Sequence, residues 1–179
     1  MRVIAGSARG TQLVTPEGED TRPTTDKVRE AVYGSLQFRL RDARVLDLFA
    51  GSGAMGIEAL SRGAEHCIFI DKSRKAIACI TANIKKCRME SVSQVLCTDT
   101  LGWLETAKDK FDIIILDPPY ASGIYEKVMQ IIKDRELLAD DGTVVLEHDG
   151  SIDIRGFEKV RDKRYGKIHV TMYESEKGL

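Results

Sequence analysis

Five short apolar runs, separated by stretches of helical periodicity, constrain the fold of this chain of 179 residues more than any other feature. Each run is apolar without strict alternation, which is typical of strands that are buried on both faces of a parallel sheet. Repeated strand–helix–strand units predict an α/β domain in which helices cover both faces of a mostly parallel sheet. The five runs are residues 44–49, 66–70, 92–97, 111–116 and 143–147.

The C-terminal part of the chain breaks this alternation and predicts a pair of antiparallel strands. Two strand-like stretches, 157–165 and 168–173, flank the dipeptide Gly166–Lys167. A two-residue turn with glycine first suits a type II′ hairpin. With the five runs, this hairpin would give a sheet of seven strands.

The N-terminal part predicts a hairpin and a helix ahead of the first strand. Residues 3–4 and 12–14 flank a glycine-containing loop, which suits a small appended hairpin. Residues 24–40 have the pattern of a helix that Thr24 or Thr25 can cap. Its inward face would carry Val28, Ala31, Val32 and Leu36.

Composition favours a globular cytoplasmic protein. Hydrophobic residues make up 42% of the chain, yet its longest aliphatic run covers only residues 113–116. A membrane span needs about 20 apolar residues, and Arg9 interrupts any secretion signal. The cysteines and histidines are scattered without ligand spacing, so we expect reduced thiols and no metal. We expect a monomer by default.

The charge distribution is uneven although the net charge is only −1. Residues 1–16 carry Arg2 and Arg9 and no acid, and residues 155–169 carry six basic side chains against two acidic ones. Two basic ends could flank one groove and hold a phosphate backbone. On charge alone, an ordinary solvated surface is the simpler explanation.

A glycine-rich loop predicts a nucleotide-like ligand. Residues 51–56 read GSGAMG, directly after a predicted strand and before a helix. Glycines such as Gly51 and Gly53 let the backbone approach a ligand, and the helix start supplies free N–H groups. Asp71 ends the next strand, where a carboxylate can accept both ribose hydroxyls of an adenosine. A nicotinamide-binding domain would show the same features.

Two further acids bear on the choice of cofactor. Asp47 lies inside an apolar strand, where a carboxylate is costly unless it is paired. It would lie near the amino-acid part of S-adenosylmethionine, or it would instead hold loop amides around Gly51. Asp99, just past the third strand, could accept from the adenine amino group or cap the next helix, and these two roles are compatible.

The tetrapeptide Asp117-Pro118-Pro119-Tyr120 is the strongest functional signal. It follows strand 111–116 directly, at the strand ends where ligands bind in such sheets. An exocyclic amine on a base is a poor nucleophile, because its lone pair is delocalised into the ring. Asp117 and the Pro118 carbonyl can accept its two N–H bonds and aim that lone pair at a methyl donor, while the prolines stiffen the loop. Tyr120 offers a face on which an extruded base can stack.

These motifs resemble the bacterial RsmD family, whose members methylate N2 of one guanine in small-subunit ribosomal RNA. The likeness lies in DLFAGSGAMGIEALSRGA (47–64), Asp71 and DPPY, and also in RPTTDKVREAVYGSL (22–36) and RVIAGSARG (2–10). It covers nearly the whole chain. The resemblance implies a Rossmann-like, class I S-adenosylmethionine-dependent methyltransferase fold.

The resemblance also implies residue roles and partners. Cofactor contacts fall on Asp47, Gly51, Gly53, Asp71 and Asp99, and base handling falls on Asp117, Pro118, Pro119 and Tyr120. Substrate contacts fall on Arg2, Arg9, Arg22, Thr24, Thr25 and Arg29. An RNA-binding hairpin would span 1–21 and the methyltransferase domain 22–179, acting on 16S rRNA in the small subunit or its assembly intermediates.

One departure and three alternatives accompany this interpretation. The family usually continues with basic residues after Gly10, whereas this chain has Thr11 and Gln12, which predicts a less positive hairpin. A DNA adenine-N6 or cytosine-N4 methyltransferase would need additional surface to read a site. A nicotinamide-dependent oxidoreductase would use the same glycine loop. A non-catalytic RNA-binding factor would have no need of DPPY.

Overall fold

The computed structural model describes residues 1–17, 25–119, 123–150, 152 and 154–176. Five α-helices occur in the described chain: α1 Asp26–Leu36, α2 Ala54–Ser61, α3 Arg74–Cys87, α4 Thr100–Leu104 and α5 Ile124–Asp134. The strands are β1 Arg44–Leu48, β2 His66–Asp71, β3 Ser93–Cys97, β4 Phe111–Leu116, β5 Leu138–His148, β6 Phe157–Tyr165 and β7 Ile168–Ser175.

All of these strands join one sheet in the order β3-β2-β1-β4-β5-β7-β6. The strands β1 to β5 run parallel, and β7 is antiparallel to both β5 and β6. This confirms the predicted α/β architecture and its C-terminal hairpin. The other strands match their predicted bounds to within two residues. The largest difference is at β5, which starts five residues earlier because Leu138 pairs with Phe111 beyond an irregularity in the ladder.

The hairpin turn also follows the prediction. Tyr165 pairs with Ile168, which leaves Gly166 and Lys167 as the two turn residues. Gly166 has a φ of 65°, and Lys167 is not among the residues with positive φ. A positive φ at the first central residue alone is the geometry of a type II′ turn, and glycine adopts it without a steric penalty.

The sheet is buried on both faces, which explains why its strands are apolar without alternation. Along β1, Val45 enters the hydrophobic cluster that holds α1, α2 and α3. The next residue, Leu46, enters the second cluster, which holds α4 and α5. The domain therefore has three layers, with helices on each side of the sheet.

The inward face of α1 contains three of the four predicted residues and two residues that were not predicted. Val28, Val32 and Leu36 are buried as expected, but Ala31 is half-buried. Tyr33 is fully buried, and its hydroxyl donates to the carbonyl oxygen of Met55 in α2. Arg29 is buried on the same side of the helix. The buried face of the helix therefore includes two long polar side chains. The spacing of its apolar residues does not predict their burial.

Among the described residues, the structure identifies the residue that caps the start of α1. The Thr25 hydroxyl accepts from the Val28 amide at 3.3 Å, so Thr25 is the N-cap. Thr24 lies outside the described residues. The helix ends at Leu36, earlier than the predicted residue 40.

The N-terminal segment forms the predicted antiparallel pairing and also enters the core. Arg2 pairs with Gln12 across an isolated bridge. Val3, Ala8 and Leu13 are all buried in the cluster beneath α1 and α2. The segment is thus packed onto the α/β body along its length. In the described part of the chain, no helix is long and apolar enough to cross a bilayer.

Gly56 in α2 allows the helix to lie close to the sheet, and this contact makes a stability prediction. A Cβ at Gly56 would stand 2.4 Å from Phe69 Cε1 and 2.7 Å from Cys67 Sγ. Gly56→Ala should therefore lower the free energy of unfolding by about 1–3 kcal/mol, the usual cost of overpacking. Urea denaturation at neutral pH measures this loss.

Gly34 in α1 is the matched control, since a Cβ there meets no atom within 4 Å and its φ is not positive. Gly34→Ala should raise the free energy of unfolding by about 0.5–1 kcal/mol, because alanine is the better helix former. If Gly56→Ala also stabilises the protein, the close approach of α2 to the sheet does not exclude a side chain at position 56.

Candidate active site

The carboxyl ends of the parallel strands bring the predicted site residues to one edge of the sheet. The glycine-rich loop follows β1, Asp71 ends β2, and Asp117 follows β4. Since β1 lies between β2 and β4, the loop is flanked by these two acids. Ligands of open α/β sheets bind at this edge.

The glycine-rich loop has open space in front of it. Gly51 has a φ of 57°, and a Cβ built on it would meet no atom within 4 Å. Gly53 adopts the left-handed conformation, with a φ of 75°, directly before α2. Gly53 has no side chain to cap that helix start. The Gly56 amide is bound by Asp47, which leaves the N–H groups of Ala54 and Met55 for a polar ligand.

Asp71 holds the loop in this conformation. Its Oδ2 accepts from the Gly51 amide at 2.9 Å and its Oδ1 from the Ser73 amide at 2.8 Å. Each carboxylate oxygen has a second lone pair, so the side chain can still accept hydroxyl donors. Asp71 is half-buried and therefore reaches both the loop and the open edge.

Asp47 lies beneath the loop, 2% exposed, and its Oδ2 accepts from the Gly56 amide at 2.9 Å. Burial raises its pKa to about 8; the Gly56 N–H bond opposes this shift and the charge of Asp71 adds to it. Asp47 thus holds a backbone amide, but this amide belongs to Gly56 in α2 and not to the loop around Gly51 as predicted, because Asp71 binds the Gly51 amide. The contact with a cofactor stays a prediction.

Asp99 has the helix-capping role foreseen for it. Its Oδ2 accepts from the Gly102 amide at 2.9 Å, at the start of α4. The side chain is exposed, so capping leaves its other oxygen open to solvent or to a ligand. Adenine recognition stays a prediction that is compatible with this geometry.

The loop after β4 borders a narrow cleft that has room for about one water molecule. Asp117 is half-buried, Pro118 buried and Pro119 exposed. Asp117 lines the cleft, and Val32 of α1 and Met55 of α2 form apolar walls. Tyr120 lies outside the described residues. The geometry thus puts an acid and a stiff, N–H-free backbone beside an apolar opening.

The residues predicted to bind substrate fall into different environments. Arg2 and Arg9 are exposed on the N-terminal segment. Arg29 is fully buried: its Nη2 donates to the Arg2 carbonyl at 2.5 Å and to Asp26 Oδ1 at 2.7 Å. Arg29 Nε and Nη1 have no hydrogen-bond partner among the described residues. Arg22 and Thr24 lie outside them.

Two buried polar residues that join the N-terminal segment to the site were not predicted. Glu58 of α2 is fully buried and accepts from the Ile4 and Ala5 amides at 2.8 and 3.0 Å. Asn83 of α3 accepts from the Val14 amide at 2.8 Å and donates to the Val14 and Ser52 carbonyls, each at 2.9 Å. Their signal in the sequence is a polar residue within a helix stripe that is otherwise apolar.

A third unpredicted residue is Glu147 of β5, which is 6% exposed and lines the same cleft as Asp117. It directly follows the apolar residues of its strand, as Asp117 does in β4. Among the described residues, no group of three or more His, Cys, Asp or Glu side chains is arranged to hold a metal ion.

Comparisons with known proteins find relatives along nearly the whole chain. The model of the family described as conserved hypothetical protein 95 matches residues 1–174. YlbH of Bacillus subtilis (strain 168), provisionally named an rRNA methyltransferase, is 39% identical over 181 residues, covering 97% of this chain and 98% of YlbH. Ribosomal RNA small subunit methyltransferase D of Escherichia coli (strain K12) is 30% identical over 180 residues, covering 98% of this chain and 90% of that protein.

A solved structure gives the same result at the level of the fold. The protein yhhF from Escherichia coli, provisionally described as a methyltransferase, superposes on this chain with a TM-score of 0.89 and is 30% identical. The superposition covers 98% of each chain.

Asp47→Asn tests the electrostatics beneath the loop. The pKa of Asp47 rises from its ordinary 3.8 to about 8 in the folded protein, so its contribution to stability is complete below pH 4 and is lost as the pH rises through 8. The wild-type free energy of unfolding should fall across this window, by at most about 1.4 kcal/mol per pH unit for one proton. Asparagine keeps the acceptor for Gly56 without titrating, so the variant should lack this decline.

Urea denaturation of both proteins at pH 5, 6, 7 and 8, without added ligand, measures the difference between wild type and Asp47→Asn. Other titrating groups affect the two proteins alike, so only the gap between the two profiles reports on Asp47. Parallel profiles across this range would contradict a raised pKa.

Proposed function

Because the chain belongs to the family described as conserved hypothetical protein 95, the RsmD family, and has a Rossmann-like methyltransferase fold, we propose a specific reaction for it. The protein transfers a methyl group from S-adenosylmethionine to the exocyclic N2 amine of a guanine in 16S rRNA. The observation that carries this proposal is the position of Asp117, directly before Pro118. Asp117 lines a cleft at the sheet edge that also carries the glycine-rich loop.

The residues around the glycine-rich loop fit the proposed cofactor. The open space before Gly51 admits a ligand against the backbone, and the free N–H groups at the start of α2 suit its carboxylate. Asp71 accepts the ribose hydroxyls and Asp99 the adenine amino group. Burial raises the pKa of Asp47 in the protein alone, and the ammonium group of the cofactor beside it would favour its charged form. When bound, S-adenosylmethionine supplies a methyl group that its sulfonium charge has already activated.

The loop after β4 handles the acceptor base. The Asp117 carboxylate and the Pro118 carbonyl accept the two N–H bonds of the amine, which localises its lone pair on nitrogen. Asp117 also takes the proton that the amine gives up as its new bond forms. Proline cannot donate a hydrogen bond, so Pro118 and Pro119 offer only acceptors there, and Tyr120 stacks on the base. Positioning of this kind supplies most of the rate.

The basic residues provide a surface for RNA. Arg2 and Arg9 are exposed on the N-terminal segment, which we assign to RNA contact together with the rest of residues 1–21. Strand β6 lies at the edge of the sheet, and Lys159, Arg161, Lys163 and Arg164 are exposed along it. Lysine and arginine side chains contact phosphates without reading sequence. The substrate is accordingly the small ribosomal subunit or an assembly intermediate, whose shape presents the target base.

Incubation with methyl-labelled S-adenosylmethionine tests the proposal. The acceptors are small subunits from a strain that lacks its own enzyme, deproteinised RNA, and DNA. After digestion to nucleosides, we expect label in N2-methylguanosine from the subunits. Label in DNA N6-methyladenine would keep the catalytic argument and overturn the substrate. Binding of NADH with no binding of S-adenosylmethionine would overturn both.

Asp117→Ala should separate catalysis from cofactor binding. Loss of a preorganised hydrogen-bonding group at the reacting centre typically costs about 100- to 1,000-fold in kcat, whereas the Kd for S-adenosylmethionine should change by less than about threefold, roughly 0.6 kcal/mol. Asp140→Ala is the control, since this exposed acid lies on β5 far from its carboxyl end. An equal loss of methyl transfer and of cofactor binding in Asp117→Ala would contradict the assigned role.

A further inference from the structure

Glu147 stands beside Asp117 at the carboxyl edge of the sheet. Strands β4 and β5 are parallel neighbours, with Ile115 paired to Val145. Side chains alternate between the faces of a sheet, so Asp117 and Glu147, two residues further along, share the face of this pair. That face is the one that packs beneath α1, and both acids line the same cleft.

The surroundings of Glu147 are unfavourable for a carboxylate whose role is only structural. Its side chain is 6% exposed, and Val32, Met55 and Val170 form apolar walls of the cleft around it. Withdrawing a carboxylate from water is costly unless hydrogen-bond donors replace the water. Glu147 keeps contacts within the protein, and because a carboxylate has about four lone-pair sites, a donor on a ligand can be added to them.

Bases that carry an exocyclic amine differ at the neighbouring ring nitrogen. In guanine, N1 lies next to the N2 amine and carries a hydrogen, so it donates. In adenine and cytosine, the ring nitrogen next to the amine carries a lone pair and accepts. A carboxylate opposite this nitrogen forms a charge-assisted hydrogen bond with guanine. With adenine or cytosine it would meet a second acceptor, which leaves both groups unpaired in a dry site.

We propose that Glu147 is the residue that selects guanine, by accepting a hydrogen bond from N1–H while Asp117 accepts from the N2 amine. Neighbouring strands lie about 4.8 Å apart, a spacing at which two acids can meet adjacent donors on one base edge. The inference deepens the proposed function and rests on it. It also gives a reason, within the site itself, why adenine and cytosine are not the acceptors.

Replacement of guanine by 2-aminopurine at the target position tests this selection. This analogue keeps the amine at position 2 but has an unprotonated N1. The RNA or particle that accepts label in the assay described above is prepared with either base, and kcat/KM is measured for each. Wild-type protein should favour guanine by at least roughly 100-fold, since a site built to bind a donor rejects an analogue that lacks it.

Glu147→Gln should reduce this preference to below about tenfold, because its amide can turn to donate to the unprotonated N1. 2-Aminopurine also lacks the oxygen at position 6 of guanine, but this difference affects the wild type and Glu147→Gln alike. The change in the ratio therefore isolates the contact at N1. Glu58→Gln is the control, as it makes the same chemical change at an acid that is equally buried but tied to the N-terminal segment; its ratio should match wild type.

Glu147→Asp keeps the test decisive if Glu147→Gln does not fold, as judged by its thermal unfolding and its affinity for S-adenosylmethionine. This variant withdraws the carboxylate by one methylene, so it should lose activity on guanine and still reject 2-aminopurine. An unchanged ratio in Glu147→Gln, with normal wild-type formation of N2-methylguanosine, would overturn the role of Glu147 alone. Failure of wild type to label any guanine would instead overturn the proposed function.

Discussion

The hydrogen bond from the Gly56 amide to the buried Asp47 carboxylate anchors the first turn of α2 above the end of β1. Because Gly56 has no side chain, α2 can settle against Phe69 and Cys67 of β2. Asp71 then fixes Gly51 from the neighbouring strand. The open loop is thus shaped by protein groups before any ligand arrives, and preorganisation of this kind lowers the entropic cost of binding.

Helix α2 also carries the contacts that draw the N-terminal segment onto the body. Glu58 binds two backbone amides of that segment, and the Ser61 hydroxyl donates to the Ala5 carbonyl and accepts from the Ala8 amide. Arg29 of α1 binds the segment from its other side. Since α1 also provides a wall of the cleft through Val32, this helix contacts both the N-terminal segment and the pocket.

The fold and the loop motifs could be predicted because their signals are local. Strand runs, turn glycines and the acids that follow strands obey short-range rules of periodicity and backbone geometry. The long-range partners of the buried Arg29, Glu58 and Asn83 could not be predicted, because they lie far away in the chain, 69 residues away in the case of Asn83 and Val14. The start of β5 was missed for a similar reason, since the pairing with β4 extends the strand into a polar stretch.

Three parallel strands of this sheet share a feature that connects sequence to chemistry. Strands β2, β4 and β5 are apolar and buried, and Asp71, Asp117 and Glu147 stand at or just beyond their last apolar residues. A charge inside such a strand would be withdrawn from water on both faces, whereas a charge at its carboxyl end meets the space where ligands bind. Under the proposed function, the three acids would face three different sets of donors: ribose hydroxyls, an exocyclic amine and a ring N–H. The same placement of acids at strand ends would then serve recognition of both the cofactor and the base along a single edge.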